Sequence, residues 1–225
     1  MANYYTVDDL VSSDRIFANR LKTRTLQDFY QKKLVPNTYI YLLSNGERIH
    51  LTFDFDQFCH LIGLSYFNYN GIIGWNSLKR HNIVISKLPN FQSMRREEYR
   101  ITNFHKILRI LELPTVYLYK NENLNYRSDY FAVYKDDKRY YKLGIGTSAN
   151  NVNYGETFQV SLIDSKDNNE IDPNKRLTVV SQYTMPRYTF MELYYPLYLK
   201  DKNNTVRLKE VELINWNISI NSETN

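Results

Sequence analysis

Phe53-Asp54-Phe55-Asp56-Gln57-Phe58-Cys59-His60-Leu61-Ile62-Gly63-Leu64 divides the chain into two kinds of pattern. Helical and hairpin signals lie before it; more helices and then a run of strands follow. Asp54 and Gln57, three apart, read as a capping box in which each side chain meets a free N–H at a helix start. Phe55, Phe58, Cys59 and Ile62 fall on one helical face with Leu61 and Leu64 on its flank, so the predicted helix is largely buried. Gly63 supplies the left-handed residue that ends it. Asp56 and His60, four apart, are neighbours on one face. They read either as a structural ion pair or as a charged imidazolium poised for chemistry.

Working towards the amino end, Arg48-Ile49-His50-Leu51-Thr52-Phe53 alternates apolar with polar residues. Asn45-Gly46, the pair favoured by a type I′ turn, predicts a hairpin over Thr38 to Phe53. His50 falls on the polar side, which places it in solvent. Thr25 to Leu34, with the stripe Leu26, Phe29 and Tyr30, predicts a helix that stops before Pro36. Thr6 and Asp9 cap an earlier helix whose Leu10, Phe17 and Leu21 face a core. Arg15, Arg20, Lys22 and Arg24 make one side of this arm basic.

Working towards the carboxyl end, Tyr66 to His81 reads as a loop and short helix, and Ser86 to Phe91 as a turn. Ile101, Phe104, Leu108 and Leu111 recur at helical spacing, predicting one helix over Arg95 to Leu113 closed by Pro114. Arg95, Arg96, Arg100 and Arg109 occupy its remaining faces, and His105 sits beside the apolar stripe as a core histidine. The period then changes to two: Thr115–Lys120, Asp129–Lys135, Arg139–Ile145, Glu156–Ile163 and Leu177–Tyr183 read as strands with short, antiparallel connections. Phe131, Val133, Tyr141, Leu143, Ile145, Phe158, Val160 and Leu162 mark the faces expected to pack on helices. The opposite phase carries Tyr130, Tyr134, Tyr140, Lys142, Thr157, Gln159 and Ser161. Such a face can stack bases and grip phosphates, and it is equally what a solvated sheet looks like. Ser165 to Arg176 reads as a polar loop, and Tyr194–Leu199, Thr205–Leu213 and Trp216–Ile220 as further strands.

The 225 residues, 43% apolar and 24% charged, suffice for a globular core. A net charge of +5 is compatible with nucleic acid without requiring it. The 21 tyrosines suit half-buried strands and wet binding surfaces alike. Cys59, the single cysteine, excludes an intramolecular disulfide and a cysteine-based metal site, and its apolar neighbours make it a packing residue. No apolar run nears the roughly 18 residues of a membrane span, and no basic-then-apolar leader opens the chain. A cytoplasmic protein is expected, in which the Asn203 and Asn217 Asn-x-Ser/Thr triplets are chance matches. Gly144 and Gly146 are too little for a phosphate-cradling loop, no Gly-x-Ser-x-Gly elbow is present, and His50, His60, His81 and His105 lack metal-ligand spacing. Metal-free phosphodiester cleavage needs a base, an acid and cations on the phosphate, and these residue types are present.

The stretch Arg48-Ile49-His50-Leu51-Thr52-Phe53 with Phe58-Cys59-His60-Leu61-Ile62-Gly63-Leu64 resembles a phage- and mobile-element-associated family of the barnase, EndoU, colicin and RelE-like (BECR) nuclease superfamily. Arg100-Ile101-Thr102-Asn103-Phe104, Asp129-Tyr130-Phe131, Tyr141-Lys142-Leu143-Gly144 and Tyr154-Gly155-Glu156-Thr157-Phe158 extend the resemblance over residues 37–183. The His-Leu-x-Gly-Leu helix with its preceding strand is the most specific part. The resemblance implies helices followed by an antiparallel sheet whose open face meets RNA. It implies metal-independent, cofactor-free RNA cleavage through a 2′,3′-cyclic phosphate. His60 is then the proton-transfer residue, Glu156 and Thr157 lie on the active sheet, Arg100 and Lys142 neutralise phosphate, and Tyr130 orients it. Tyr140 and Gln159 join Tyr130 and Lys142 as substrate-binding residues.

The expected architecture is α+β: an N-terminal helical arm (1–36), a BECR-like domain of helices on an antiparallel sheet of about four to five strands (37–183), and a β-rich C-terminal extension (184–225). The expected function is a ribonuclease acting as toxin, defence effector or phage protein, with RNA as partner and a cognate antitoxin or host protein as a second. The competing expectation is a non-catalytic phage or mobile-element protein, anti-defence or antitoxin-like, that binds a protein through the tyrosine-rich sheet face.

Overall fold

Thr6 opens helix α1 (Val7–Ser12) with a complete capping box: its hydroxyl accepts from the Asp9 N–H, and the Asp9 carboxylate accepts from the Thr6 N–H at 2.7 Å. The computed structural model from which this is read describes residues 3–112, 114–118, 128–148, 153–162 and 172–191. Leu10 and Leu21 are buried as the stripe predicts. Phe17 is not: the helix has already ended at Ser13, and the ring lies 44% exposed beneath the Arg15 guanidinium.

Helix α2 (Thr23–Phe29) runs into a wide π-helical turn, Tyr30–Leu34, and the chain reaches Pro36 as expected. Tyr30 is the hub of the helical side. Its ring lies within 6.4 Å, centroid to centroid, of Phe53, Phe58, Trp75 and Phe104. Its hydroxyl donates to the Asp54 carbonyl at 2.8 Å, which ties α2 to the start of the Phe53–Leu64 stretch. The pairs with Phe53 and Phe58 are edge-to-face, a geometry that adds roughly 0.5–1.5 kcal/mol each beyond area burial.

Strands β1 (Asn37–Leu43) and β2 (Arg48–Thr52) form the predicted hairpin, but its turn is not type I′. Leu43 pairs with Glu47 across a three-residue loop in which Gly46 alone is left-handed, at φ 85°. The Asn45 side chain accepts from the Glu47 N–H, so the asparagine shapes the loop locally and has no need of a left-handed backbone. His50 is also corrected. It is half-buried because β2 is an interior strand, and burial, with Arg48 nearby, lowers its pKa to about 4.

The Phe53–Leu64 stretch forms a single helical turn, α3 (Phe58–Leu61), preceded by turns. The Gln57 side chain accepts from the Asp54 N–H as expected, while the Gln57 N–H donates to the Asp54 carbonyl. Gly63, at φ 85°, ends α3, and a 3-10 turn (Leu64–Phe67) leads to helix α4 (Gly71–His81). Cys59 is fully buried, and burial pushes its thiol up to about 12.

The helix expected over Arg95 to Leu113 is two helices, α5 (Arg95–Thr102) and α6 (Ile107–Glu112), with a 3-10 turn between. Asn103 makes the break: its side-chain amide donates to the Tyr99 carbonyl, and the Thr102 hydroxyl donates to Glu98, local bonds that compete with helix propagation. The break reorients α6 so that Ile107 and Ile110 are fully buried while Leu108 is only partly so. His105 is buried as expected, and burial, then Lys106, lowers its pKa to about 4.

The remaining strands are β3 (Thr115–Leu118), β4 (Tyr130–Lys135), β5 (Arg139–Thr147), β6 (Asn153–Leu162), β7 (Arg176–Leu177) and β8 (Val179–Pro186). They do not form a separate sheet of four or five strands. One eight-stranded sheet, in the order β7-β3-β4-β5-β6-β2-β1-β8, incorporates the hairpin through a parallel β2–β6 seam. The phase of β4 is also inverted relative to expectation. Tyr130 and Ala132 share a face with Ile145 and Leu143 and join the helix-covered core, whereas Phe131 and Val133 lie opposite Gly144 and Lys142 on the other face. All four are buried, so alternation along β4 carried no sign of which face met the helices. Leu162, assigned to the packed face, is exposed at its strand's end.

Residues Met1–Thr184 form one compact unit and Met185–Asn225 another. The arm shares the first unit's core: Leu10, Leu21 and Phe29 belong to the same buried cluster as Phe104 and Phe158. The strands expected at 194–199, 205–213 and 216–220 lie outside the described residues, as does most of the 165–176 loop. Among the described residues no helix is long and apolar enough to cross a membrane.

Candidate active site

The parallel seam is short, and that creates the site. β2 and β6 pair only through Leu51 with Asn153 and Thr52 with Tyr154. Past Thr52 the chain leaves the sheet for α3, while β6 continues for eight residues with α3 and α5 packed beside it. His60, from the last turn of α3, opens into the resulting groove and is exposed. Arg96, Glu97 and Arg100 enter from α5, Glu156, Thr157, Gln159 and Val160 from β6, and Tyr66 from the 3-10 turn. The groove encloses about 170 Å³.

Arg100 organises it. Sequence placed this arginine on a basic outer face, yet it is only 9% exposed. Its Nη2 donates to the His60 carbonyl at 2.6 Å, the Leu61 carbonyl at 2.8 Å and the Thr157 hydroxyl at 3.0 Å, and its Nε donates to Leu61 at 3.1 Å. The guanidinium thus satisfies the orphan carbonyls at the end of α3, where a positive charge is favoured, and joins α3 to β6. Gly63 makes room: a Cβ there would lie 3.0 Å from Arg100 Cδ and 3.4 Å from Nε and Nη1.

Glu156 reaches the groove through a β-bulge. Thr157 pairs with Gly144 and Gly155 with Ile145, so Glu156 has no opposite residue and its side chain is re-aimed. The Ser128 hydroxyl donates to its carboxylate at 2.5 Å, fixing its orientation. The groove therefore carries two arginines, two glutamates and a histidine.

Five residues singled out from sequence come together: His60, Arg100, Glu156, Thr157 and Gln159. Tyr130, Lys142 and Tyr140 do not. Tyr130 sits in the core and donates to the Glu47 carboxylate at 2.8 Å, and burial, followed by that bond, raises its pKa. Lys142 is fully buried with Nζ 5.9 Å from the Phe131 ring centroid. Tyr140 is half-buried, its ring 5.5 Å from Lys135 Nζ. The face holding Lys142, Thr157, Gln159 and Ser161 is covered, each being at most 9% exposed, so the groove runs along the side of β6 and not over an open sheet.

Tyr66, Arg96, Glu97, Val160 and Ser128 were not singled out. Arg96 precedes Arg100 by four residues and shares its helix face, which was a usable signal. Ser128 reaches Glu156 only through the β4–β5–β6 arrangement and left no local trace. Among the described residues no group of three or more His, Cys, Asp or Glu is placed to hold a metal ion.

No curated protein and no solved structure matches the chain. A family model does match, over residues 24–209, a span that takes in all of α2 but its first residue as well as the 37–183 region. With the α3–α5–β6 groove falling inside that span, the chain belongs to the phage-Barnase-EndoU-ColicinE5/D-RelE like nuclease4 family.

Proposed function

We propose that the protein is a metal-independent ribonuclease whose active site is the groove between α3, α5 and β6. The convergence of His60, Arg100, Glu156 and Thr157 on one groove carries this reading. The reaction is an internal transesterification. The 2′-oxygen loses its proton to a base and bonds to phosphorus; the P–O5′ bond breaks, and the leaving oxygen takes a proton from an acid. A 2′,3′-cyclic phosphate and a 5′-hydroxyl result.

Glu156 is the base, since a carboxylate oriented by the Ser128 hydroxyl is held ready to accept. His60, exposed and across the groove on α3, is the acid. Arg96 and Arg100 stabilise the charge that gathers on the phosphoryl oxygens, and Thr157 and Gln159 position the linkage. The groove's size favours a polymer. About 170 Å³ is below the roughly 300–1,000 Å³ that encloses a whole small ligand, so it accommodates one linkage of a longer chain.

The partner-binding alternative has less to support it, because of Tyr130, Tyr134 and Tyr140 on its expected face the first is buried and the other two half-buried. Labelled RNA incubated with the protein in chelator tests the proposal. Cleavage should fall by about 10²-fold or more in both His60→Ala and Glu156→Gln, and a 2′-deoxy substitution at the cut site should abolish it. Cutting that survives both substitutions would overturn the site assignment. A toxin or defence role further predicts growth arrest on induction, relieved by a co-produced antitoxin.

A further inference from the structure

Tyr66 is 59% exposed and lines the groove together with His60 and Arg96. A tyrosine left this open forgoes much of the stabilisation that burying a large side chain supplies. Yet it is not on a loose loop. It sits on a 3-10 turn bounded by left-handed residues on both sides, Gly63 at φ 85° and Asn68 at φ 66°. Leu64 and Phe67 of the same turn are buried, and the Phe67 ring packs 6.1 Å from Phe91. Backbone bonds from Asn68 to Ser65 and from Tyr69 to Leu64 close the turn. Gly63 at its start lies against Arg100, the residue that organises the groove. A rigid mount therefore holds an exposed aromatic ring next to the cations.

We propose that Tyr66 is the base-stacking residue of this groove, so that the substrate is RNA in single-stranded or looped form. This rests on reading the groove as an RNA site. A phosphate drawn to Arg96 and Arg100 leaves its neighbouring base beside the Tyr66 ring. Stacking there demands a base splayed out of any helix. The ring has no donor or acceptor pattern that selects among bases, so the preference it gives is for unpaired structure over sequence.

The test uses 2′-O-methyl decaribonucleotides, which cannot be cut, single-stranded or annealed to their complements. Binding is measured for the wild type, Tyr66→Phe and Tyr66→Ala. Single strands should bind more tightly than duplexes. Tyr66→Ala should weaken single-strand binding about ten-fold or more, while Tyr66→Phe stays within about two-fold. In cleavage assays Tyr66→Ala should raise KM and spare kcat. Equal binding by Tyr66→Ala and wild type, or duplex bound as well as single strand, would overturn the proposal even if RNA is cut. Tyr66-dependent binding without any cleavage would uphold it and remove the catalytic reading instead. Absence of nucleic-acid binding, with a stoichiometric protein captured by the Tyr66 surface, would overturn both.

Discussion

Replacing Gly63 with alanine tests how the groove is held together, and Gly46 provides the control. Both glycines have φ 85°, so alanine at either position incurs the same left-handed penalty of roughly 1–2 kcal/mol. At Gly46 nothing lies within 4 Å of the added Cβ. At Gly63 the Cβ meets Arg100 Cδ at 3.0 Å and two guanidinium nitrogens at 3.4 Å. Arg100 cannot yield freely, because four bonds of 2.6–3.1 Å tether it to His60, Leu61 and Thr157. Weakening one charge-assisted bond there adds about 1.5–3 kcal/mol. For a chain of this size about 1 kcal/mol moves Tm by roughly 2–4 °C. Gly46→Ala should therefore lower Tm by a few degrees, and Gly63→Ala by about twice as much. RNA cleavage, assayed well below both transitions, should drop in Gly63→Ala alone. Equal Tm losses with unchanged cleavage in both variants would refute the idea that this close approach holds Arg100 in place.

Arg100→Met, which leaves two α3 carbonyls without their donor, should destabilise by about 2–4 kcal/mol in urea titrations, and Arg100→Lys should recover only part of this. His50 and His105 have pKa values lowered to about 4, so below the ordinary histidine range the unfolded chain binds protons that the folded one refuses. Stability should fall as pH drops from about 6.5 and level off near 4, by about 1.4 kcal/mol per pH unit for each histidine, and His105→Leu should flatten the slope measured by denaturation at pH 7 and 5. Cys59, buried and with its thiol pushed up to about 12, should resist a thiol reagent in the native protein and react fully in denaturant.

Local chemistry made much of this fold legible in the sequence. The Thr6–Asp9 box, the Asn45-Gly46 hairpin, the Gly63 stop and the positions of β4, β5 and β6 each depend on neighbours a few residues away, and all are present. Where two local signals competed, the stronger apolar periodicity misled: Asn103 and Thr102 bond to their own helix and split what Ile101 to Leu111 suggested was continuous. The family resemblance was likewise legible in the stretch around His60, where the chain leaves the sheet for the helices.

Tertiary structure alone decided the rest. An arginine on an amphipathic helix reads as solvent-facing, and only the unsatisfied carbonyls at the end of α3, some 40 residues earlier in the chain, draw Arg100 inward. Glu156 owes its direction to a bulge set by cross-strand register, and its partner Ser128 is 28 residues away. The phase of β4 could not be read because both of its faces are buried, and burial on both sides erases the alternation that marks a core face. Most elements were readable because capping, turns and periodicity act over a few residues. The groove, the covered sheet face and the choice among eight candidate residues depended on pairings between distant strands and helices, which no short-range pattern encodes.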